Sequence, residues 1–285
     1  MKWALLANLL FALVDLAWKQ AQQYNSVSVN TAIRSWTSTL LLGCVVLVVT
    51  PNLNEWSLSF SHAIQHDFRI IGVGLLGWLG LWAFGKSLKD GALHIIIPVV
   101  ALTPVVTYVF WFFQHNSRWM PLENLAILSL MIAGILLSFQ FQRNQDPKAP
   151  TLPILWACLA SCSWGLSYSW YESVTSQIGA IPTAAWVEAC IAFGSASLLL
   201  WKKSNAFKEA KWPLLTGIIT ALAVLTTVQS YAEHGTESTA IAGVVTPVLS
   251  IFGAWIINKE RPIGLQWVSL SILIVTLIWQ ALRLA

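Results

Sequence analysis

Three charged residues lie where a chain rich in apolar residues has least room for charge. Asp15 falls deep in the first apolar run, Arg34 about two turns into the second, and Glu188 near the centre of a run in the second half. At about 1.5 Å per residue, Asp15 is roughly 18 Å along its helix, past the middle of a bilayer span. An acid at that depth costs free energy and is by default a functional candidate. Asn8, Phe11, Trp18 and Lys19 share its face. Asp15 could bind a substrate ammonium or a coupling proton, or form a structural pair with Lys19 one turn on. Glu188 has no basic neighbour three or four residues away. A lone buried membrane carboxyl can serve as a proton site, or bond another helix in its protonated form. Arg34 could meet a substrate carboxylate by two parallel hydrogen bonds, or snorkel to the interface.

Prolines and aromatic residues outline where a cavity would sit. Pro98 and Pro104 are expected to interrupt the fourth helix, and Pro247 the ninth at the matching place. Each removes a backbone donor, which is tolerated where protein or a wet cavity satisfies the freed carbonyl. A packing kink is the alternative. Gly74, Gly77 and Gly80 lie on one face of the third helix and would let another helix approach closely. Trp78 and Trp82 form a separate aromatic face there, and Trp164 and Tyr168 repeat the spacing in the sixth helix. These four are candidates for substrate-binding walls, against the alternatives of lipid-facing or core packing.

The elements that must hold these residues follow from composition. Of 285 residues, 56% are hydrophobic and 10% are charged. A soluble domain carries about 25% charged residues, so one or two water-soluble domains are excluded. A span needs roughly 20 apolar residues, which leaves room for about ten. Apolar runs occur near 3–21, 28–49, 68–88, 92–113, 121–141, 152–174, 180–201, 212–232, 237–257 and 263–283. The expected fold is therefore an all-α integral membrane protein of ten transmembrane helices. Turn residues such as Tyr24-Asn25-Ser26, Lys89-Asp90-Gly91 and Glu233-His234-Gly235 separate the runs. The connector Asn52 to Asp67 is expected to hold an amphipathic or irregular surface piece. Part of the excess in the 17 tryptophans should form interfacial belts.

A polar stretch at 143–151 divides the helices five and five, into 1–142 and 152–285. A shift of 143 residues lays Thr103-Pro104-Val105 on Thr246-Pro247-Val248, Ser87 on Ser230 and Asp90 on Glu233. Near the start of each half a shift of 153 brings Trp3 onto Trp156 and Lys19 onto Glu172. An odd number of helices per repeat forces opposite orientations, so the halves read as an inverted repeat, an arrangement common in secondary transporters.

Several other chemistries lack their residues. Cys44, Cys158, Cys162 and Cys190 sit in apolar runs with no partner set for zinc, and read as small buried hydrophobes. His62, His66 and Asp67 have metal-like spacing and fit a His-x4-Asp transferase pattern, but as a short match in a polar connector. No metalloprotease, serine-hydrolase or phosphate-loop motif occurs, and no cofactor is implied. The net charge of +4 forms no stripe for nucleic acid.

Over essentially its whole length the chain resembles the drug/metabolite transporter (DMT) superfamily in its EamA-like form. The likeness is carried by Thr239-Ala240, Thr246-Pro247-Val248 and Lys259-Glu260-Arg261, with a weaker first-half copy ending in Ala133-Gly134-Ile135. Trp164-Gly165 matches the pair typical of the first helix of a repeat, and Lys19 and Arg34 match places where basic residues are common. The first half departs with Ser117 in place of Glu260, and Phe11-Ala12 in place of Trp164-Gly165. His234-Gly235 followed by Thr246-Pro247-Val248-Leu249-Ser250 is similar to the aromatic-amino-acid exporter branch over those few residues. The resemblance implies a multi-pass protein of the inner or plasma membrane, not an enzyme. It would move a small organic metabolite, an amino acid in the first instance, by alternating access, with a coupling proton or counter-substrate. A membrane-embedded transferase and a lipid-handling or scaffold protein are the alternatives.

Charge and resemblance differ on orientation. Apart from Arg34, eleven Lys and Arg lie at the ends of odd-numbered helices, against four at the termini and remaining loops. The positive-inside rule then places both termini outside, whereas the resemblance implies both in the cytoplasm.

Overall fold

The computed structural model describes residues 2–49, 53–91, 93–114, 151–201, 207–243, 245–257 and the short stretches 267–268, 271–272 and 274–275. The expected helices over 121–141 and most of 263–283, and the linker up to Pro150, lie outside these residues. Within them the secondary structure is helical, with no strand. The helices are α1 (Lys2–Tyr24), α2 (Val27–Val49), α3 (Leu53–His66), α4 (Phe68–Asp90), α5 (Leu93–Val100), α6 (Thr103–Gln114), α7 (Thr151–Ile178), α8 (Ala180–Trp201), α9 (Lys211–Ala242) and α10 (Val245–Ile257). Among the described residues, six stretches are long and apolar enough to cross a bilayer: α1, α2, α4, Ile96–Gln114, Ala180–Leu200 and Lys211–Thr236.

Helix surfaces reverse the soluble pattern. On α1, Leu5, Leu9 and Leu13 recur every four residues and are exposed, while Asn8, Asp15 and Trp18 are buried. A stripe of leucine facing outward with polar groups inward is stable only where the surroundings are as apolar as leucine. Leu200, 91% exposed at the end of α8, makes the same point. The connector after α2 is the helix α3, the surface piece anticipated for that stretch.

Helix ends carry recognisable caps. Asp67 caps α4 by accepting from the Arg69 backbone N–H at 2.9 Å, and the Gly91 N–H donates to Ser87 O at its other end. Gly179 turns the chain from α7 to α8 with φ of +86°, a conformation that costs glycine little. Asn25, in the turn after α1, accepts from the backbone N–H of Lys208 and Glu209 and so ties that turn to the segment before α9.

Helix breaks fall at equivalent places. Residues 93–100 and 103–114 form α5 and α6, separated at Ala101–Leu102. Shifted by 143 they predict 236–243 and 246–257. The chain kinks at Gly235, where φ is +74°, continues to Ala242, and resumes as α10 at Val245. Pro104 is the second residue of α6 and Pro247 the third of α10, positions in the first turn where the missing N–H has no intrahelical partner to lose. The expectation that Pro98 breaks a helix is corrected: α5 runs through it.

The halves interlock. Among the long helices, α1 packs on α9, α4 on α7 and α2 on α8. Helices early in the chain thus pair with helices late in it.

Candidate functional site

Where these helices converge lies a cavity of about 160 Å³. Its wall takes Asn8, Phe11, Asp15 and Trp18 from α1, Arg34 from α2, Gly77, Leu81 and Phe84 from α4, and Thr103, Pro104 and Thr107 from α6. The second half adds Trp164, Tyr168 and Tyr171 from α7, Glu188 from α8, Thr227, Tyr231 and Thr239 from α9, and Thr246 from α10. An apolar cavity of about 150 Å³ holds a benzene molecule, so the space suits a small organic molecule.

Asp15 is buried, and its Oδ2 accepts a hydrogen bond from Ser250 Oγ at 2.8 Å. One turn earlier on α10, Thr246 Oγ1 donates to Asn8 Oδ1 at 2.6 Å. The polar face of α1 thus docks on two hydroxyls spaced i,i+4 on the segment after the second-half break. Lys19, also on α1, turns to the end of α4, where its ammonium donates to the carbonyls of Leu88 and Gly91 at 2.8 and 2.7 Å.

Arg34 and Glu188 meet. Arg34 donates through Nη1 to Glu188 Oε2 at 2.6 Å and through Nη2 to Oε1 at 3.1 Å, both residues buried. Ser38 Oγ adds a bond to Oε2 at 2.5 Å. Glu188 lacks a basic neighbour on its own helix, but α2 brings one from 154 residues away. The two carboxylate oxygens are therefore occupied by the guanidinium, and Arg34 neither snorkels nor offers its paired face to a ligand. Continuing the shift of 153 one helix further places Arg34 within one residue of Glu188.

The aromatic candidates divide. Trp164 and Tyr168 line the cavity, and Trp164 Nε1 donates to Gly77 O at 3.3 Å. Trp78 and Trp82 do not line it, a correction to the expected walls. The Trp78 ring lies where a Cβ on Gly194 of α8 would fall, and Trp82 stacks edge-on with Trp156 of α7 at 5.0 Å. The cavity opens on the glycine side of α4, and the two indoles occupy another face. Pro104 lines the space, Pro98 does not, and the side chain of Pro247 lies outside the described residues.

Tyr171 and Tyr231 do not stand out in the sequence. With Tyr168 they form a cluster whose ring centroids lie 5.1, 5.3 and 6.3 Å apart. The available signal is composition: four of only five tyrosines, these three and Tyr108, fall inside apolar runs.

Outside the cavity, His62 and His66 stack on each other along α3 with centroids 4.2 Å apart. Asp67 turns instead to Arg69 and Gln177, accepting at 2.6 Å from Arg69 Nη2 and from Gln177 Nε2. These bonds, that to Arg69 above all, hold its carboxyl at about 2, below the ordinary 3.8. Among the described residues no cluster of three His, Cys, Asp or Glu could hold a metal ion.

Residues 151–280 match the model of the EamA-like transporter family. No match is found among curated protein sequences. The chain is also similar to a solved crystal structure of a protein 16% identical in sequence, with a TM-score of 0.71 over 96% of this chain and 93% of that one. At that identity the likeness shows a shared fold.

Proposed function

We propose, from the match of residues 151–280 to the EamA-like transporter family of the drug/metabolite transporter superfamily, that the protein is a secondary transporter. Its cargo is a small organic metabolite bearing an amine, either an amino acid or a simple amine. The observation that carries this is the cavity between interlocked halves, with Asp15 and three tyrosines in its wall. Transport proceeds by alternating access, and Asp15 exchanges the cargo's ammonium for a coupling proton or for a counter-substrate.

The architecture we propose is two inverted five-helix repeats, 1–142 and 152–285, joined by 143–151. Two features support it: the coincidence of helix breaks under a shift of 143, and helix pairing that is symmetric in the order of the halves. Cavities at broken helices between inverted repeats are where transporters of this type bind cargo. The family is one of transporters and not of enzymes, and the bonds on Asp67 leave a His62-based transferase without its free acid.

Counterflow of labelled amino acids and amines into proteoliposomes tests the reading. Saturable exchange lost in Asp15→Asn is expected, and undiminished exchange by that variant at equal reconstitution would sink the role of Asp15.

A further inference from the structure

We infer that the cavity selects a monocationic amine with a compact apolar body and no carboxylate. The inference rests on the transport reading above and narrows its cargo.

Charge accounting within the cavity leads there. Among the described residues its charged side chains are Asp15, Arg34 and Glu188. The last two neutralise each other through two hydrogen bonds. Ser38 adds a third to the same carboxylate. One formal negative charge remains, on Asp15, whose bond from Ser250 is between a neutral donor and the carboxylate. A cargo that brings one positive charge balances the site.

A zwitterion does not. With its ammonium on Asp15, its carboxylate would lie in a cavity whose guanidinium is already paired. The guanidinium keeps one unpartnered N–H, at Nε, but its charge is already neutralised by Glu188, so compensating a second carboxylate means taking Arg34 from Glu188, which strands a buried acid. Breaking a buried pair in this way is expensive, and the corresponding discrimination is about a hundredfold or more.

The rest of the wall fits an organic cation. The rings of Tyr168, Tyr171 and Tyr231, packed at 5.1 to 6.3 Å, stand with Trp18 and Trp164 in the wall, and aromatic rings of this kind attract an ammonium and bury an apolar body. A volume of about 160 Å³ accommodates a body of about one ring or a short aliphatic chain.

The test uses four probes sharing one phenyl body: 2-phenylethylamine, phenylalanine, 3-phenylpropionate and 2-phenylethanol. Binding to the purified full chain is read as a ligand-dependent rise in unfolding temperature, and movement as counterflow in proteoliposomes. The amine is expected to bind most tightly, with phenylalanine and phenylpropionate weaker by about a hundredfold or more. This comparison needs no variant. Asp15→Asn should then remove the preference of amine over alcohol, and Asp15→Glu should restore part of it. Phenylalanine binding as tightly as the amine, binding by none of the four, or an amine preference unchanged in Asp15→Asn would each overturn the inference. Amine binding that depends on Asp15 without counterflow supports the ligand class and defeats the transport reading. Counterflow of another metabolite without amine binding does the reverse.

Discussion

Arg34 of α2 and Glu188 of α8 face each other across the two halves, joined by hydrogen bonds of 2.6 and 3.1 Å at positions 154 residues apart. Their opposite charges complement one another where α2 packs on α8. Removing one partner strands a charge in an apolar interior, whereas removing both strands none. Arg34→Met alone should therefore destabilise the protein by about 3–5 kcal/mol. Arg34→Met with Glu188→Leu should recover most of that loss. Unfolding in detergent by heat or denaturant measures both; a double variant no better than the single would contradict the argument.

Close packing on the glycine side of α4 yields a second prediction. A Cβ on Gly80 would fall 2.5 Å from Trp164 Cδ1 and 2.6 Å from its Nε1, so the indole must move. That ring is a wall of the cavity and donates to Gly77 O. Gly80→Ala should cost about 1–3 kcal/mol from overpacking and weaken cargo binding. A Cβ on Gly43 of α2 would meet nothing within 4 Å. Gly43→Ala should therefore gain up to about 1 kcal/mol of helix preference without touching binding. Equal responses from the two variants would refute the distinction.

What the sequence made legible, and what it hid, divides by range. The face of α1 carrying Asn8, Phe11, Asp15 and Trp18 was visible because those residues share one helix, and all four line the cavity. The breaks at Ala101–Leu102 and before Val245 lie beside Pro104 and Pro247, since backbone interruptions follow local residues. Partners on other helices were not visible. Glu188 looks alone because its own helix carries no base within reach, and Arg34 approaches from 154 residues away. Trp78 and Trp82 form a genuine face by spacing, but spacing does not say which neighbour a face meets. The neighbours are Gly194 of α8 and Trp156 of α7.

Asp67 gives the protein an acid-sensitive contact outside its spans. Its folded carboxyl titrates at about 2, below the ordinary 3.8, chiefly because of Arg69 with Gln177 adding to the effect. A depressed carboxyl contributes stability that is complete above the ordinary value and is lost as pH falls toward the folded one. Between about pH 4 and pH 2 the unaltered chain should therefore lose more stability than Asp67→Asn, which has no charge to neutralise. Thermal unfolding at steps through that window reads the difference. Parallel curves would mean that the Asp67 contacts contribute nothing in solution.

Lys19 and Glu172 hold corresponding turns by opposite chemistry. Lys19 sits late in α1 and donates to the Leu88 and Gly91 carbonyls, gripping the end of α4 before α5 begins. Glu172 sits late in α7, and its Oε2 accepts from the Thr236 N–H at 2.9 Å, gripping the start of the piece that follows the Gly235 kink. A cation on the terminal carbonyls of one helix and an anion on the first N–H of another each oppose the local helix dipole. The two residues thus fasten the junctions that lead into the two broken helices. Lys19→Met should raise amide exchange over 88–97 and leave 236–242 unchanged, and Glu172→Ala should do the opposite. Glu172→Gln keeps an acceptor without the charge and should fall between Glu172→Ala and the unaltered chain, since losing a cap costs about 1 kcal/mol. Exchange resolved by peptide measures each junction separately. If either substitution loosened both junctions equally, the two contacts would be parts of one cooperative unit and not independent fasteners.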